Sequence, residues 1–238
     1  MKYLNKFDTR SDYEASASTL EIPNVAYITA TTEVIYNATQ PKAYVVFADP
    51  VVGQKCATLY GDGVGCTEAD LAAVTALNAL DWSGTNITSF DELQYFTGMT
   101  DVIDNAFYDC SGLTSVVIPD TVTMIKQHAF LRTSLTSVVI PSGVTNISYG
   151  VFGNCSGLTS VNIPASATIS QYAFADCSSL SSITFEGTTL PQYLYNDTFT
   201  NLPTTGNITV PVGSESNFYS FAQTLGSGWT VNNQTPPA

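Results

Sequence analysis

The chain has 238 residues, enough for one or two domains with a real core, and it carries a net charge of -13 although only 11% of its residues are charged. All seven Lys and Arg residues lie at or before Arg132, so the second half of the chain presents Ser, Thr, Asn and Gln to water. This composition excludes the basic stripe that nucleic-acid binding requires and disfavours an anionic membrane surface. No apolar stretch reaches the length of a membrane span, so membrane insertion is not expected.

Residues 1–50 are predicted to form a small α+β anchoring region. A short helix is expected over 9–20, and alternating apolar residues indicate strands over 24–29, 33–36 and 42–48. Because three short strands and one helix are too few to be stable alone, this region is expected to dock on another surface. The opening residues contain no apolar run of the kind found in signal peptides, so we expect a protein that does not use the secretory pathway.

Residues 51–86 are predicted to be a connector that ends in a cap helix. Thr67 and Asp70 form a capping-box pattern, and apolar residues at helical spacing follow as far as Leu80. The pattern predicts a helix of about three turns. Its expected role is to cover the open end of the repeat that follows.

A repeat dominates the sequence after this connector. Leu113-Thr-Ser-Val-Val-Ile-Pro119 recurs with small changes at 135–141, 158–164 and 180–186, at a period of 22 or 23 residues. A period of this size predicts a solenoid, in which each unit buries its apolar face only against its neighbours. Less regular copies at both ends extend the predicted solenoid to about six coils over 87–211.

Each coil is predicted to contain two short strands and a buried phenylalanine. The first strand lies at the repeated motif and ends at a proline, and the second runs towards a small residue followed by Phe. The residues predicted to point inwards are Val116, Ile118, Val138, Ile140, Val161, Ile163, Ile183 and Phe185. Residues 212–238 are predicted to be a C-terminal cap and tail, with an apolar cover supplied by Phe218, Tyr219, Phe221 and Trp229.

The five cysteines fall into two groups. Cys110, Cys155 and Cys177 occupy the same slot of the repeat, which is typical of small buried hydrophobic residues, and they are too far apart in sequence for a clustered metal site. Cys56 and Cys66 lie outside the repeat. For them both a disulfide and a reduced pair remain open.

The combined pattern, Leu-Thr-Ser-Val-x-Ile-Pro with Ala-Phe and Cys-Ser-x-Leu, closely resembles the BspA-like leucine-rich repeat of gut anaerobes and their phages. The resemblance implies a mainly β solenoid, without enzymatic activity and without a cofactor. In relatives, the stretch before the entry coil often resembles a calcium-binding Asp-Gly loop. Here Asp62 and Asp70 are the matching positions, and the other ligand positions hold Thr58, Tyr60 and Cys66, so few of the oxygen ligands of a calcium site are present.

The first 40 residues carry a second resemblance, to virion-associated proteins of phages that infect gut anaerobes. It rests on Asn-Lys-Phe-Asp-Thr at 5–9, Pro-Asn-Val-Ala-Tyr-Ile at 23–28 and Glu-Val-Ile-Tyr-Asn at 33–37. It implies a non-enzymatic structural protein of the virion (a capsid decoration, head fibre or tail-associated protein), held to a capsid or tail subunit through residues 1–50. The solenoid would then mediate adhesion to a host protein or glycan, and a second copy of the chain is a further candidate partner.

Two other functions remain open. A bacterial cell-surface adhesin of the BspA-like type is the first alternative, and a glycan-cleaving spike is the second. The second needs a pair of carboxylates, for which Asp101 with Asp104 and Asp91 with Glu92 are the candidates, although such pairs are typical of a solvated acidic surface. His128 is the only histidine, and it lacks an evident nucleophile and acid partner in the sequence.

Exposed tyrosines are the candidate binding residues. Tyr149, Tyr172, Tyr193 and Tyr195 lie between the strand and phenylalanine slots or in the last turn. Aromatic platforms beside Asn and Thr suit sugar binding, because the rings stack on sugar faces while the polar groups bind hydroxyls. The alternative is that these tyrosines pack between coils.

Overall fold

The computed structural model describes residues 43–77, 82–192 and 194–233. The chain divides into two compact units between Leu71 and Ala72. The helix predicted over 9–20 and the strands predicted over 24–29 and 33–36 lie outside the described residues. The finer boundaries, at residues 50, 86 and 211, stay predictions.

The first unit contains a helix, α1 (Pro50–Leu59), that the sequence reasoning missed. The Asp49 carboxylate accepts hydrogen bonds from the backbone N–H groups of Val51 at 2.7 Å and Val52 at 3.4 Å. Pro50 is at the first helical position, where its missing N–H leaves no bond unmade. Asp49-Pro50, interpreted from the sequence as the end of a strand, is therefore the start of a helix.

The strand predicted over 42–48 is wrong for its described part, residues 43–48. Val45 and Phe47 are buried, as the alternation requires, but the segment pairs with no strand of the described residues. The Val45 N–H donates to the Cys66 carbonyl at 2.7 Å. One such bond supports an extended segment, not a strand.

The capping box at Thr67 is confirmed, but the helix that follows is shorter than predicted. In α2 (Glu68–Ala72) the Thr67 N–H donates to Asp70 at 2.8 Å and the Asp70 N–H donates to the Thr67 hydroxyl at 3.1 Å. The helix ends at Ala72, residues 74–77 are irregular, and 78–81 lie outside the described residues. β-Branched Val74 and Thr75 disfavour helix. The Ala72 carbonyl also lies so near Gly98 that a Cβ there would be 2.4 Å from its oxygen.

The second unit is a stack of short parallel strands. The strands are β1 (Ser89–Phe90), β2 (Asp101–Val102), β3 (Ser115–Val116), β4 (Met124–Ile125), β5 (Ser137–Val138), β6 (Asn146–Ile147), β7 (Ser160–Ile163), β8 (Thr168–Ile169), β9 (Ser182–Phe185), β10 (Thr205–Val210) and β11 (Gly228–Asn233). The first four coils have two strands each, as the sequence predicts, whereas the coils that contain β9 and β10 have one strand each. One sheet has the order β5-β7-β9-β10-β11, a second has β2-β4-β6-β8, and β1 pairs with β3. The short helices are two 3-10 turns (Asp91–Tyr95 and Glu215–Asn217) and α3 (Tyr219–Leu225).

The core of this unit consists of columns of like residues from successive coils. All eight side chains predicted to point inwards are buried, with 7% exposure or less. A ladder of stacked phenylalanines runs beside them, with ring centroids 5.1–5.4 Å apart and interplanar angles of 4–13°. Its members are Phe107, Phe130, Phe152, Phe174 and Phe199. The predicted register is therefore confirmed.

Aromatic residues cover both ends of the core. At the first coil, the fully buried Trp82 contacts Phe90 with ring centroids 4.8 Å apart. At the last coil, Phe218 lies 5.1 Å from Phe185, and Phe221 and Trp229 are also buried, as predicted. The prediction that Tyr219 joins this cover is wrong, because its side chain is 53% exposed. The tail also supplies a strand that was not predicted, β11, in parallel register with β10.

Two rows of left-handed backbone flank the phenylalanine ladder, one lying two residues before each of the first four Phe residues and the other two residues after all five. The first row contains Asn105, His128, Gly150 and Tyr172, and the second contains Asp109, Arg132, Asn154, Asp176 and Asn201, with φ between 56° and 61°. Asn, Asp, His and Gly tolerate this conformation, whereas most other L residues are destabilised in it by about 1–2 kcal/mol. The chain therefore bends at the same two places in each of four successive coils.

Arg132→Asn is expected to raise the free energy of unfolding by about 0.5–1 kcal/mol, because it relieves part of the left-handed strain. Arg132 is exposed, and its one contact of note is a long 3.5 Å hydrogen bond to the Tyr108 hydroxyl. Urea denaturation measures the change. A destabilised Arg132→Asn variant would contradict this interpretation of the second row.

All five cysteines are buried reduced thiols, so Cys56 and Cys66 are not joined. In the repeat, each thiol donates to a backbone carbonyl: Cys110 to Trp82 at 2.9 Å, Cys155 to Phe130 at 3.2 Å, and Cys177 to Phe152 at 3.1 Å. Thr133 takes the slot in the coil that lacks a cysteine, and its hydroxyl donates to Phe130 at 3.0 Å. The expectation of small buried side chains at this slot is confirmed.

No cysteine is expected to react with a thiolate-specific disulfide reagent at pH 8 while the protein is folded. Burial raises the pKa of Cys155 from 9.0 to about 11 and that of Cys66 to about 12. Thiolate, the reactive form, is therefore scarce, and the reagent cannot reach it. A spectrophotometric thiol count should find five reactive groups in urea and none without it. Rapid modification of one native thiol would contradict this.

Candidate functional site

The outer face of the first sheet carries uncharged hydroxyl and amide side chains in register. Ser137 lies beside Ser160, and Ser160 beside Ser182. The Asn162 amide donates to the Ile140 carbonyl at 3.0 Å and to Glu186 at 3.1 Å, so its orientation is fixed. This face is therefore polar and rigid, but much of its hydrogen-bonding capacity is used within the protein.

Threonine rows on this and the second sheet are used in the same way. The Thr114 hydroxyl donates to the Thr88 carbonyl at 3.0 Å, and the Thr159 hydroxyl donates to Thr136 at 3.0 Å. Thr168 repeats the contact on the second sheet, with Thr145 at 3.0 Å. These hydroxyls connect successive coils, and their first role is structural.

A ridge of aromatic rings is the most distinctive surface feature of the second unit. The rings of His128 and Tyr149 have centroids 5.4 Å apart, and those of Tyr149 and Tyr172 are also 5.4 Å apart, both in edge-to-face geometry. Tyr149 and Tyr172 nevertheless remain 40% and 41% exposed. We call His128, Tyr149 and Tyr172 the aromatic ridge. It extends over three coils.

Two of the three ridge residues have left-handed backbone, and the bulky ring of Tyr172 makes it strained there. His128 and Tyr172 have φ of 57° and 58°, in the slot where other coils hold Asn105 and Gly150. Gly150 lies under the ridge, because a Cβ there would be 2.7 Å from His128 Cδ2. Bulky aromatic residues in left-handed backbone are uncommon and are found preferentially at functional sites.

Polar groups lie along the ridge. Gln127 Nε2 lies 3.4 Å from His128 Nδ1, and Gln171 donates to Asp197 Oδ2 at 3.4 Å. The negative charge of Asp197, together with the hydrogen bond that it accepts from Tyr172, raises the pKa of the Tyr172 phenol. The phenol is therefore a neutral hydrogen-bonding group at ordinary pH. Hydrogen-bonding groups therefore lie beside the rings at both ends of the ridge.

The structure brings together two of the four predicted tyrosines. Tyr149 and Tyr172 belong to the ridge, whereas Tyr195 is 45% exposed but joins no ring contact among the described residues, and Tyr193 lies outside them. The sequence analysis treated exposure of these tyrosines and their packing between coils as alternatives. Tyr149 and Tyr172 do both, since their rings contact neighbouring coils and remain partly exposed. His128 was not predicted as a binding residue. The sequence signal that could have identified it is its position in the repeat, which is the same as that of Tyr172.

Asp62 and Asp70, the candidate calcium ligands, both accept hydrogen bonds from nearby groups of the protein. Asp62 accepts hydrogen bonds from the Tyr44 hydroxyl at 2.7 Å and from the N–H groups of Val64 and Gly65 at 3.1 and 3.2 Å. Asp70 belongs to the capping box. No group of three His, Cys, Asp or Glu residues able to hold a metal ion occurs in the part of the chain that the structure describes.

The structure shows the contacts and the burial of the carboxylates and the histidine that were considered for catalysis. Asp101 forms an ion pair with Lys126 at 3.0 Å, and Asp104 accepts the Gln127 N–H at 3.0 Å. Glu92 is buried, with 7% exposure. The neighbours of His128 are Gln127 and Tyr149.

Within the described ranges, no helix is long and apolar enough to span a bilayer.

Comparisons with known proteins agree with the repeat. The model of the BspA type leucine rich repeat region matches residues 86–224 in six copies, in accord with the six predicted coils. A leucine rich repeat protein of T. pallidum is 22% identical, with a TM-score of 0.36, and the match covers 60% of this chain and 77% of that one. No curated protein matches the sequence significantly.

Two further solved structures are similar over part of their length. A leucine rich cell surface protein of Faecalibacterium prausnitzii A2-165 is 18% identical, with a TM-score of 0.30, covering 62% of this chain and 63% of that one. A leucine-rich repeat protein of Bacteroides ovatus ATCC 8483 is 14% identical, with a TM-score of 0.26, covering 67% of this chain and 64% of that one. The match therefore spans less than two thirds of each of these two proteins.

Proposed function

Because the chain belongs to the BspA-type leucine-rich repeat family, we propose that it is a non-enzymatic adhesion protein that displays its repeat surface to a ligand outside the cell. Proteins of this repeat class are typically binding scaffolds, since stacked coils make an extended rigid surface. The observation that carries the proposal is the aromatic ridge. In it the Tyr149 and Tyr172 side chains are 40% and 41% exposed, and their rings contact each other. Exposed rings in fixed geometry suit recognition.

Two locations are candidates for the surface on which the protein is displayed. A bacterial cell surface agrees with the repeat family. A virion agrees with the resemblance of the first 40 residues to virion-associated proteins, in which residues 1–50 would bind a capsid or tail subunit. An antibody against the protein distinguishes them, because it should label either washed bacterial cells or purified phage particles. Labelling of neither would contradict surface display.

Adhesion is tested with beads that carry the full-length wild-type protein. They are passed over immobilised cells and over surfaces coated with polysaccharides or with proteins. At least one surface should retain them more strongly than beads coated with an unrelated acidic protein of similar net charge. If no surface retains them, the proposed function is wrong. Release of soluble sugar products would instead favour the glycan-cleaving spike.

A further inference from the structure

We propose that the aromatic ridge of His128, Tyr149 and Tyr172 is a binding site for a linear neutral glycan, whose sugar faces stack on the rings and whose hydroxyl groups bind the adjacent amides. The proposal rests on the proposed adhesion function and names the ligand class and the site.

The rings supply the first part of the recognition. Two successive centroid distances of 5.4 Å place the three rings in a row of at most about 11 Å along the stack of coils. The face of an aromatic ring is negative, so it attracts the partly positive C–H groups on one side of a sugar. A row of rings therefore suits a short linear oligosaccharide better than a compact ligand.

The polar neighbours supply the second part. Gln127 and Gln171 lie beside the rings, and the Tyr172 hydroxyl and Asp197 stand at one end. Amides both donate and accept hydrogen bonds, which is what sugar hydroxyls require. A ridge of aromatic rings flanked by such groups has the mixed character of a small-ligand site.

The charges select a neutral ligand. Asp104 lies near the His128 end, where it accepts the Gln127 N–H at 3.0 Å, and Asp197 lies at the Tyr172 end. The nearby cation Lys126 is already paired with Asp101 at 3.0 Å. The whole chain carries a net charge of -13. Sialylated or sulfated glycans would meet repulsion from these carboxylates, whereas neutral glycans would not.

The strained backbone argues that the Tyr172 ring was not placed for stability. At the same slot, Asn105 and Gly150 adopt the left-handed conformation at lower cost than Tyr172 does. Natural proteins retain such strain mainly at sites where it serves function. Placement of the Tyr172 ring there is therefore best explained by what the ring contacts outside the protein.

The test is isothermal titration calorimetry of the full-length protein with a panel of neutral oligosaccharides, both α-linked and β-linked, and with anionic ones. At least one neutral oligosaccharide should bind, and anionic ones should bind more weakly. Tyr149→Ala and Tyr172→Ala should each raise its Kd by about tenfold or more, because each removes a stacking face. Tyr219→Ala is the matched control, since Tyr219 is 53% exposed and lies off the ridge. Circular dichroism checks that each variant is folded.

Conservative variants separate stacking from hydrogen bonding. Tyr149→Phe keeps the ring face and should bind within about threefold of wild type, because only the hydroxyl is lost. Tyr172→Phe also keeps the ring face but loses the phenol that hydrogen-bonds with Asp197, so its Kd should lie between those of Tyr149→Phe and Tyr172→Ala. If the Phe variants lose as much affinity as the Ala variants, stacking is not the mode of binding. If the Ala variants bind like wild type, the site is elsewhere.

Failure of the site proposal is distinguishable from failure of the adhesion function. If no oligosaccharide of the panel binds, the proposed ligand class is wrong, and the bead experiment with wild-type protein then decides whether adhesion stands. Retention of beads on protein-coated surfaces alone would overturn the glycan proposal while supporting adhesion.

Discussion

Phe152→Ala is expected to lower the free energy of unfolding by about 3–5 kcal/mol, as large-to-small changes of buried aromatic residues do. The side chain is fully buried and stacks between Phe130 and Phe174, with centroids 5.3 and 5.4 Å away. Its removal takes away two ring contacts and leaves a cavity in the middle of the ladder. Because each coil is stabilised only by its neighbours, the damage should also uncouple the coils on either side.

Urea denaturation followed by circular dichroism measures this loss. Val139→Ala is the control, because Val139 is also in the repeat but is 74% exposed, and its change should stay within about 0.5 kcal/mol. A loss below about 1 kcal/mol for Phe152→Ala, with an intact fold, would show that the phenylalanine ladder is not the core that holds the coils together.

Gly206→Ala is expected to destabilise the protein by about 1–3 kcal/mol, as overpacking of a filled core does. The Trp229 ring lies directly against Gly206, so that a Cβ there would be 2.6 Å from Trp229 Cη2. The ring is also fixed by the hydrogen bond that its Nε1–H donates to the Pro203 carbonyl at 2.9 Å. The added methyl group must displace the tryptophan and loosen β11 from β10. Urea denaturation followed by circular dichroism measures the loss.

Gly143→Ala is the matched control for that change. Its added Cβ would lie 3.7 Å from the nearest atoms, the carbonyl oxygens of Asp120 and Val122, which is ordinary van der Waals contact. The control should be neutral or more stable by up to about 1 kcal/mol, because alanine restricts the unfolded chain. Equal effects of the two substitutions would contradict the packing of Trp229 on Gly206.

The repeat made the solenoid predictable, because each strand slot could be checked against three other copies. Ile140, Ile163 and Phe185 occupy the same slot of successive coils, and all are buried. The parts outside the repeat lacked this check. Asp49 was interpreted as the end of a strand, although its carboxylate and the following proline are equally the signals of a helix start. The strand β11 carries no copy of the motif and was therefore missed.

The candidate site was only half predictable. Tyr149 and Tyr172 were recognised as aromatic residues flanked by polar ones. Which rings contact one another depends on the left-handed turns, however, and the spacing of a repeat does not reveal the backbone φ angle of its residues. The sequence signal for a left-handed turn at His128 was the presence of Asn105 and Gly150 at the same position of other coils, because both residue types favour positive φ. The role of His128 in the ridge follows only from the geometry of three coils together.

The most direct test of the central claim compares the adhesion of beads that carry wild-type protein with that of beads carrying the double variant Tyr149→Ala/Tyr172→Ala. Both are measured in flow over a surface that retains the wild type, with Tyr219→Ala beads as the control. The ridge account predicts at least about a tenfold loss of retention for the double variant and none for the control. A folded double variant that is retained as well as wild type would contradict it.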